Sequence, residues 1–393
     1  DSEQTDDSQQ GALPAERALP AEGAPSADEV QPATEDEGGP SGDLGFGVVG
    51  VGASAGGLEA MEQFLQHLPA DLGVALIFVQ HLSPKHVSNL TSILPRSTKM
   101  AVCEAVDGMQ IERDNVYVIP PDRDLAVLHG ALQLFERPKS HARHMPVDYL
   151  FRSLAQDQGP RAVGVVLSGT GSDGSEGLRA IKAEGGVTFA QDEESAKYDG
   201  MPHAAAATGQ VDFVLPPAEI AEEISRVVRH PHVCRPVVKR EESPLGAPEA
   251  LQKIFVLLRH ATGVDFSQYK QSTVERRITR RMVLNRVDSP PQYLKFLQQT
   301  PREVHALFDD MLINVTGFFR EPATFESLKE RGFPEITCEK GPNSPVRIWV
   351  PACSTGEEPY SMAIALLEYL AERDLHVPIQ IFATDISETS IET

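Results

Sequence analysis

Short apolar runs alternate with amphipathic stretches along the first half of the chain, after an initial polar segment that ends near Gly45. Four apolar runs predict strands at residues 46–51, 74–80, 116–119 and 161–168. Between them, residues 58–68 and 175–183 carry apolar side chains at helical spacing. This alternation is typical of a parallel sheet covered by helices on both faces. We therefore predict a doubly wound α/β domain over residues 46–230, closing with a strand at 212–214 and a helix at 218–228.

The pattern changes in the second half. Residues 231–248 hold four prolines and no periodic apolar pattern, as an interdomain linker would. Residues 249–330 predict a small all-helical module, with breaks at Pro290-Pro291 and Pro301. A strand at 347–350, a helix at 359–372 and a strand at 379–384 predict the start of a second α/β domain over 331–393. Two strands are too few for a stable doubly wound fold, so we expect this domain to be cut short.

Composition narrows the class of protein. The chain has 393 residues, with 41% hydrophobic and 23% charged, which excludes a fibrous protein or one small stapled module. Four well-separated cysteines without a C-x-x-C pair argue against a disulfide framework and a zinc site, so we predict no metal and a reducing, cytoplasmic location. No apolar run is long enough to span a bilayer.

The net charge is -22, and residues 1–45 contribute twelve acidic groups against Arg17, which predicts a disordered acidic tail.

The segment Gly52-Ala53-Ser54-Ala55-Gly56 follows the first predicted strand and opens a helix. As G-x-S-x-G it matches a nucleophile elbow, in which flanking glycines let a serine hydroxyl stand clear of a sharp turn. As a glycine-rich dinucleotide fingerprint it would need an acidic residue after the second strand, where Gln80-His81 stands instead. A tight glycine turn with a capping serine is the third interpretation.

Two further polar residues follow other predicted strands. His81 ends the second strand, and Asp173 follows the strand that ends near Ser168. Because the carboxyl ends of parallel strands share one edge of a sheet, Ser54, His81 and Asp173 are expected to meet there. A neutral imidazole can take the proton of a serine hydroxyl, and a carboxylate holds the imidazole in the productive orientation. The pattern predicts a hydrolytic triad.

Several motifs together resemble the catalytic domain of CheB-type chemotaxis protein-glutamate methylesterases. They are Gly50-Val51-Gly52-Ala53-Ser54-Ala55-Gly56-Gly57, Val79-Gln80-His81, Val147-Asp148-Tyr149-Leu150-Phe151, Leu167-Ser168-Gly169-Thr170-Gly171-Ser172-Asp173-Gly174 and Gly200-Met201-Pro202. The resemblance implies hydrolysis of glutamyl methyl esters, and deamidation of glutamines, on chemoreceptors. It implies Ser54 as nucleophile, His81 as base and Asp173 as its orienting group, with the backbone amides of Thr170 and Ala55 in the oxyanion hole. The family usually carries a receiver domain ahead of this one, where this chain has its acidic tail.

A cluster of basic residues stands out in the predicted helical module. Residues 270–286 hold six basic side chains and one acidic side chain. Arg276, Arg277, Arg280 and Arg281 fall on one side of a helix. They are expected to bind an acidic protein, whereas the negative net charge disfavours nucleic acid. A solvated helix face is the simpler alternative.

The final segments suggest a cofactor pocket. A glycine-containing turn with Glu357 and Glu358 opens a helix after one strand, and Asp385 follows the next. An acidic side chain there can accept hydrogen bonds from a ribose diol, while the glutamates disfavour a phosphate and suit a cation.

Residues 249–393 resemble CheR-type chemotaxis receptor methyltransferases. The resemblance rests on this turn, on the arginine-rich helix and on Asn314-Val315-Thr316-Gly317-Phe318-Phe319-Arg320-Glu321-Pro322. It implies S-adenosylmethionine as cofactor, held by Asn314, Thr316, Arg320, Glu358 and Asp385, and an arginine-rich module that docks acidic receptor helices. The whole chain is thus predicted to join a methylesterase to part of a methyltransferase. The alternative is a signalling scaffold with one or both sites idle.

Overall fold

The computed structural model describes residues 44–81, 89–137, 144–230, 248–312, 316–338, 340–341 and 344–392. The expected acidic tail up to residue 43 and the expected linker up to residue 247 lie outside these ranges.

A seven-stranded parallel sheet organises the first domain. In chain order the strands are β1 Val48–Ala53, β2 Ala75–Gln80, β3 Ala101–Glu104, β4 Asn115–Val118, β5 Arg123–Leu128, β6 Ala131–Glu136, β7 Ala162–Val166, β8 Val187–Gln191 and β9 Phe213–Leu215. The spatial order in the sheet is β3-β4-β2-β1-β7-β8-β9, and β5 pairs with β6 as a separate antiparallel hairpin. The central strands β1 and β7 are buried along their whole length, as strands covered on both faces must be.

Helices cover both faces of the sheet. They are α1 Gly57–His67, α2 Leu90–Ile93, α3 Pro146–Gln158, α4 Ser175–Ala183, α5 Gly200–Ala207 and α6 Pro217–Val228, with 3-10 turns at Leu94–Arg96 and Gly159–Arg161. One apolar core joins α1 and α6 to the sheet through side chains such as Phe64 and Ile224. A second core joins α3 and α4 to the opposite face through Phe151 and Leu178. The predicted doubly wound α/β domain is confirmed.

Three features of this domain do not follow from the apolar pattern. The edge strand β3 is largely exposed, so its sequence Ala-Val-Cys-Glu carries little apolar signal. Strand β8 is only five residues long and mixes polar Thr188 and Gln191 with apolar side chains. The hairpin β5-β6 packs on α3 through β5, and β6 becomes exposed toward its end, which weakens its apolar pattern.

The second module is helical, as predicted. Its helices are α7 Pro248–Thr262, α8 Gln271–Leu284, α9 Pro290–Gln299 and α10 Pro301–Met311, with a 3-10 turn at Phe266–Gln268. Prolines occupy the first turn of α9 and α10, where the missing amide hydrogen costs no helical bond. A separate core of side chains such as Ile254, Ile278 and Leu307 holds the module together.

The last described residues start a second α/β fold, again as predicted. Its elements are α11 Pro322–Ser327, a π-helical turn Leu328–Gly332, α12 Phe333–Thr337, β10 Val346–Pro351, α13 Glu357–Glu372, β11 Ile379–Thr384 and α14 Glu388–Ile391. Strands β10 and β11 pair in parallel and in register, with Val350 opposite Ala383. Both strands therefore end at the same edge, where their loops can share a ligand.

Candidate active site

Ser54 stands at the carboxyl end of β1, on a turn that only glycine can complete. Gly56 has φ of +75°, and a Cβ atom there would lie 2.7 Å from the hydroxyl oxygen of Ser168. The amide of Ser54 donates to the carbonyl of Ser168 at 3.0 Å, and the side-chain amide of Gln80 donates to the carbonyl of Ser54 at 3.2 Å. The backbone of Ser54 is thus tied to both neighbouring strands.

His81 is delivered to the same edge by β2. Ala53 and Gln80 are register partners at the ends of β1 and β2, so Ser54 and His81 occupy the next positions of two adjacent parallel strands. Adjacent strands lie about 4.8 Å apart, which places the two residues side by side. The amide of His81 donates to the carbonyl of Ala53 at 3.1 Å. Its side chain is 27% exposed, so the ring is reachable from solvent.

Asp173 faces the imidazole from the loop after β7. Its Oδ2 lies 2.9 Å from Nε2 of His81, and its side chain is only 3% exposed. With Nε2 turned to the carboxylate, Nδ1 is the ring nitrogen left to accept a proton from a hydroxyl. The structure therefore brings His81 and Asp173 together at the strand edge that also carries Ser54.

The start of α3 holds the carboxylate of Asp173 in place. The amides of Val147 and Asp148 donate to Oδ2 and Oδ1 of Asp173, each at 2.9 Å. These are free amides of a helix N-terminus, where the dipole also favours a negative charge. Gly52 permits the approach, because a Cβ atom there would lie 2.2 Å from Cγ1 of Val147. Sequence reasoning missed this role, although Pro146 signals the helix start.

A second layer of titratable groups surrounds Asp173. Asp148 is buried and accepts a hydrogen bond from the amide of Gly177 at 2.7 Å. Burial, together with the nearby charge of Asp173, raises the pKa of Asp148 to about 6. Asp124 is also buried, and burial raises its pKa while the neighbouring His144 opposes the rise. Nε2 of His144 lies 3.0 Å from Oδ1 of Asp124. Asp148 stands in one of the motifs quoted above, but the sequence analysis assigned no role to any of these groups.

The predicted oxyanion amides lie on the two loops next to Ser54. The loop that carries Thr170 is held by hydrogen bonds from the amide of Gly169 to Tyr198 and from the amide of Met201 to Gly169, at 2.9 and 2.8 Å. The hydroxyl of Ser168 donates to the carbonyl of Ala55 at 3.0 Å and joins both loops. Within the described ranges, the amides of Thr170 and Ala55 have no hydrogen-bond acceptor.

A cleft of about 310 Å³ opens beside the serine turn. It is lined by side chains and backbone of Gly56, Glu59, Gln63, Ser168, Glu194 and Lys197, among others. Ser54, His81 and Asp173 are not among the residues that line it.

A larger pocket of about 460 Å³ lies at the carboxyl edge of β10 and β11. The structure brings four predicted cofactor residues to its wall, namely Thr316, Arg320, Glu358 and Asp385. The fifth, Asn314, lies outside the described residues. The carboxylate of Asp385 accepts hydrogen bonds from the amides of Ser354 and Ser387, each at 2.8 Å. Each of its oxygens keeps a second lone pair for a ligand.

The helical module also contributes to this pocket. Tyr269 and Met311 line it together with Glu321 from the start of the last domain. Sequence reasoning missed Tyr269 and Met311, because no local pattern shows that the module folds over the edge of the second sheet.

The four predicted partner-binding arginines are in contact with groups of the same chain. Arg276 pairs with Glu184 at 2.6 Å, and Arg281 pairs with Glu303 at 2.6 Å. Arg277 and Arg280 are buried against the first domain. The expectation that these residues bind an acidic receptor stays a prediction, and in this arrangement a receptor would have to displace those contacts.

No cluster of three or more histidine, cysteine or acidic side chains in the described ranges is arranged to hold a metal ion. Among the helices that the structure describes, none is both long and apolar enough to cross a membrane.

Three family models match the chain in succession. The CheB methylesterase model matches residues 49–224, the model of the all-alpha domain of CheR methyltransferase matches residues 249–312, and that of the CheR SAM-binding domain matches residues 314–393.

Relatives match parts of this arrangement. An uncharacterized 104.1 kDa protein of Rhodobacter capsulatus is 36% identical over 325 residues, which cover 77% of this chain and 34% of that protein. A protein-glutamate methylesterase/protein-glutamine glutaminase of Rhizobium johnstonii is 38% identical over 181 residues, 45% of this chain and 49% of the relative. The chain thus spans about half or less of these relatives.

A solved structure, the CheB methylesterase catalytic domain of Thermotoga maritima, is 28% identical in sequence to the matched part of this chain. The match covers 47% of this chain and 99% of that domain, with a TM-score of 0.44. The order of the three family matches agrees with the order of domains in the fold. The chain therefore joins a domain of the CheB methylesterase family to the all-alpha and SAM-binding domains of the CheR methyltransferase family.

Proposed function

We propose that the first domain hydrolyses glutamyl methyl esters on acidic receptor proteins and that the same site deamidates glutamine side chains. The observation that carries this proposal is the pair of His81 and Asp173, 2.9 Å apart at the strand edge that also presents Ser54. The methylesterase and glutaminase names of the curated relatives support the same chemistry.

In the acylation step, the hydroxyl oxygen of Ser54 attacks the ester carbonyl carbon while Nδ1 of His81 takes the hydroxyl proton. The carbonyl oxygen becomes an oxyanion, which accepts hydrogen bonds from the amides of Thr170 and Ala55. The protonated imidazole, stabilised by Asp173, then gives its proton to the departing methoxide. Methanol leaves and a glutamyl ester of Ser54 remains.

In the second step, a water molecule attacks this acyl-enzyme while His81 takes one of its protons. The bond to Ser54 breaks, the serine recovers a proton from the imidazole, and a glutamate carboxylate is released. With glutamine as substrate, ammonia leaves in place of methanol, and the product is the same carboxylate. His81 thus acts as the proton acceptor at the start of each step.

Replacing the nucleophile tests this proposal. Ser54→Ala should abolish methanol release from a methylated receptor while leaving receptor binding intact, because the hydroxyl forms the only covalent bond to the acyl group. Ser92→Ala is a matched control, since Ser92 is exposed and bonds only within its own turn. Methanol release that persists in Ser54→Ala would refute the proposed nucleophile. A wild-type chain that binds receptor without releasing methanol would support the scaffold alternative.

We further propose that the pocket at β10 and β11 holds S-adenosylmethionine for methylation of receptor glutamates. The residues present fit this group: Glu321, Glu358 and Asp385 supply carboxylates for a sulfonium cation and a ribose diol. The volume of about 460 Å³ is within the range of cofactor sites. When bound, the cofactor supplies an electrophilic methyl group with a good leaving group, so the chain's residues act mainly by orienting it.

Calorimetry with S-adenosylmethionine and S-adenosylhomocysteine tests the pocket. Asp385→Asn should weaken binding of both by about tenfold, because it removes the charge-assisted acceptor for ribose hydroxyls. Asp374→Asn, on an exposed turn after α13, removes the same charge elsewhere and should bind like the wild type. Equal affinities in the two variants would exclude Asp385 from the site.

A further inference from the structure

The arginine face of α8, formed by Arg276, Arg277 and Arg280, lies against the end of α4 in the esterase-type domain, whereas Arg281 pairs with Glu303 of its own module. Arg277 donates to the carbonyls of Lys182 and Ala183, and Arg276 donates to the same Ala183 carbonyl and pairs with Glu184. These carbonyls belong to the last turn of α4, which carries the negative end of the helix dipole, and that of Lys182 also accepts from the amide of Gly185 at 3.0 Å. The arginine face therefore recognises a helix end with an acidic neighbour.

Arg280 anchors this contact. Its side chain is 0% exposed and lies between Asp212 of the esterase-type domain and Asp310 of the helical module, with Nε donating to the carbonyl of Gly186 at 3.0 Å. The pKa of Asp212 is lowered overall. Burial alone would raise it, but the positive charges of Arg280 and Lys182 have the larger effect. A buried charge is tolerated only when it is paired, and the pair of Arg280 with Asp212 exists only while the two domains are in contact.

The contact extends beyond the charged groups. Val283 of α8 is buried in the same apolar core as α1 and α6. Arg286 pairs with Glu223 of α6 at 2.9 Å. Gly185 has φ of +86°, and a Cβ atom there would lie 2.8 Å from Cγ of Arg276, so the glycine permits the close approach. Apolar burial, ion pairs and backbone hydrogen bonds thus occur at one surface.

We propose that the esterase-type domain is the resident partner of the arginine face, and that an acidic protein can bind this face only after the two domains separate. This inference depends on the proposed function at one point only, which is that the acidic protein is a receptor. Since only the separated form binds, the apparent affinity for an acidic partner is the intrinsic affinity multiplied by the fraction of separated chains. Changes that weaken the domain contact must therefore tighten binding of the partner.

Fluorescence anisotropy of labelled poly-L-glutamate in low salt, with the full chain, tests this prediction. Asp212→Asn removes the esterase-side partner of Arg280, and Glu184→Gln removes the partner of Arg276 at a position whose side chain is 42% exposed. Asp71→Asn makes the same charge change on an exposed turn away from these contacts. We expect Asp212→Asn and Glu184→Gln to bind the probe about fivefold tighter or more than Asp71→Asn.

A second change locates the binding. Adding Arg276→Gln to Glu184→Gln should return the affinity toward that of Asp71→Asn, whereas adding Arg373→Gln, an exposed arginine of the last domain, should not. The inference is wrong if both single variants bind like Asp71→Asn, or if Arg276→Gln leaves the gain intact. Because Glu184 is partly exposed, its variant decides the outcome even if Asp212→Asn misfolds. No enzymatic step enters this assay, so a separate loss of methanol release would bear on the proposed function alone.

Discussion

Asp148 is a buried carboxyl group whose ionisation should destabilise the esterase-type domain. Burial and the neighbouring Asp173 raise its pKa to about 6 from the ordinary 3.8. The folded domain therefore binds this proton more tightly than the unfolded chain does. By linkage, the contribution of Asp148 to the free energy of unfolding falls as pH rises through the interval from about 4 to 6, and it stays low at higher pH.

The size of the effect follows from the two pKa values. They differ by about 2, and each pKa unit corresponds to about 1.4 kcal/mol. The raised pKa of Asp148 therefore lowers the free energy of unfolding by about 3 kcal/mol at pH 8 and by about half of that at pH 5, relative to acid conditions. Asp148→Asn removes the charge and keeps an oxygen that can accept the hydrogen bond from Gly177. The variant should therefore be more stable than the wild type, and more so at pH 8 than at pH 5.

Hydrogen exchange of the slowest amides in β1 and β7 measures the opening free energy of this domain without interference from the other domains. We expect Asp148→Asn to gain about 3 kcal/mol over the wild type at pH 8. Glu59→Gln, on an exposed site of α1, should change the opening free energy little at either pH. A gain equal at pH 5 and pH 8, or a loss at pH 8, would refute the account of Asp148 as a desolvated charge.

Two further changes test the packing around the sites. Gly169→Ala would place a methyl group 2.2 Å from Sδ of Met201 and 2.9 Å from Cβ of Ser54. Displacing Ser54 by about 1 Å should lower kcat for methanol release about 100-fold, and unaltered kcat would contradict the tight packing. Arg280→Ala leaves Asp212 and Asp310 buried without their cation, so the free energy of unfolding in urea should fall by about 3–5 kcal/mol. Arg229→Ala, on the exposed surface, should change it little.

The sequence was informative where function depends on local spacing. A serine, a histidine and an aspartate each follow an apolar run, and because parallel strands end at a common edge, this spacing alone predicts that His81 and Asp173 meet next to Ser54. The turn glycines and the prolines that start α9 and α10 act through their own backbone geometry, so they too are visible in the chain. Exposed or short elements such as β3 and β8 carried too little apolar signal to be found.

Only the tertiary structure decided which segments far apart in the chain come into contact. The N-terminus of α3 supports Asp173 across 26 residues, and the arginines of α8 contact α4 across more than 90 residues. Tyr269 reaches a pocket formed by residues up to Ile386. Sequence spacing specifies which face a side chain occupies on its own helix or strand. Which surface covers that face depends on how whole elements pack, and packing depends on shape and burial summed over many residues.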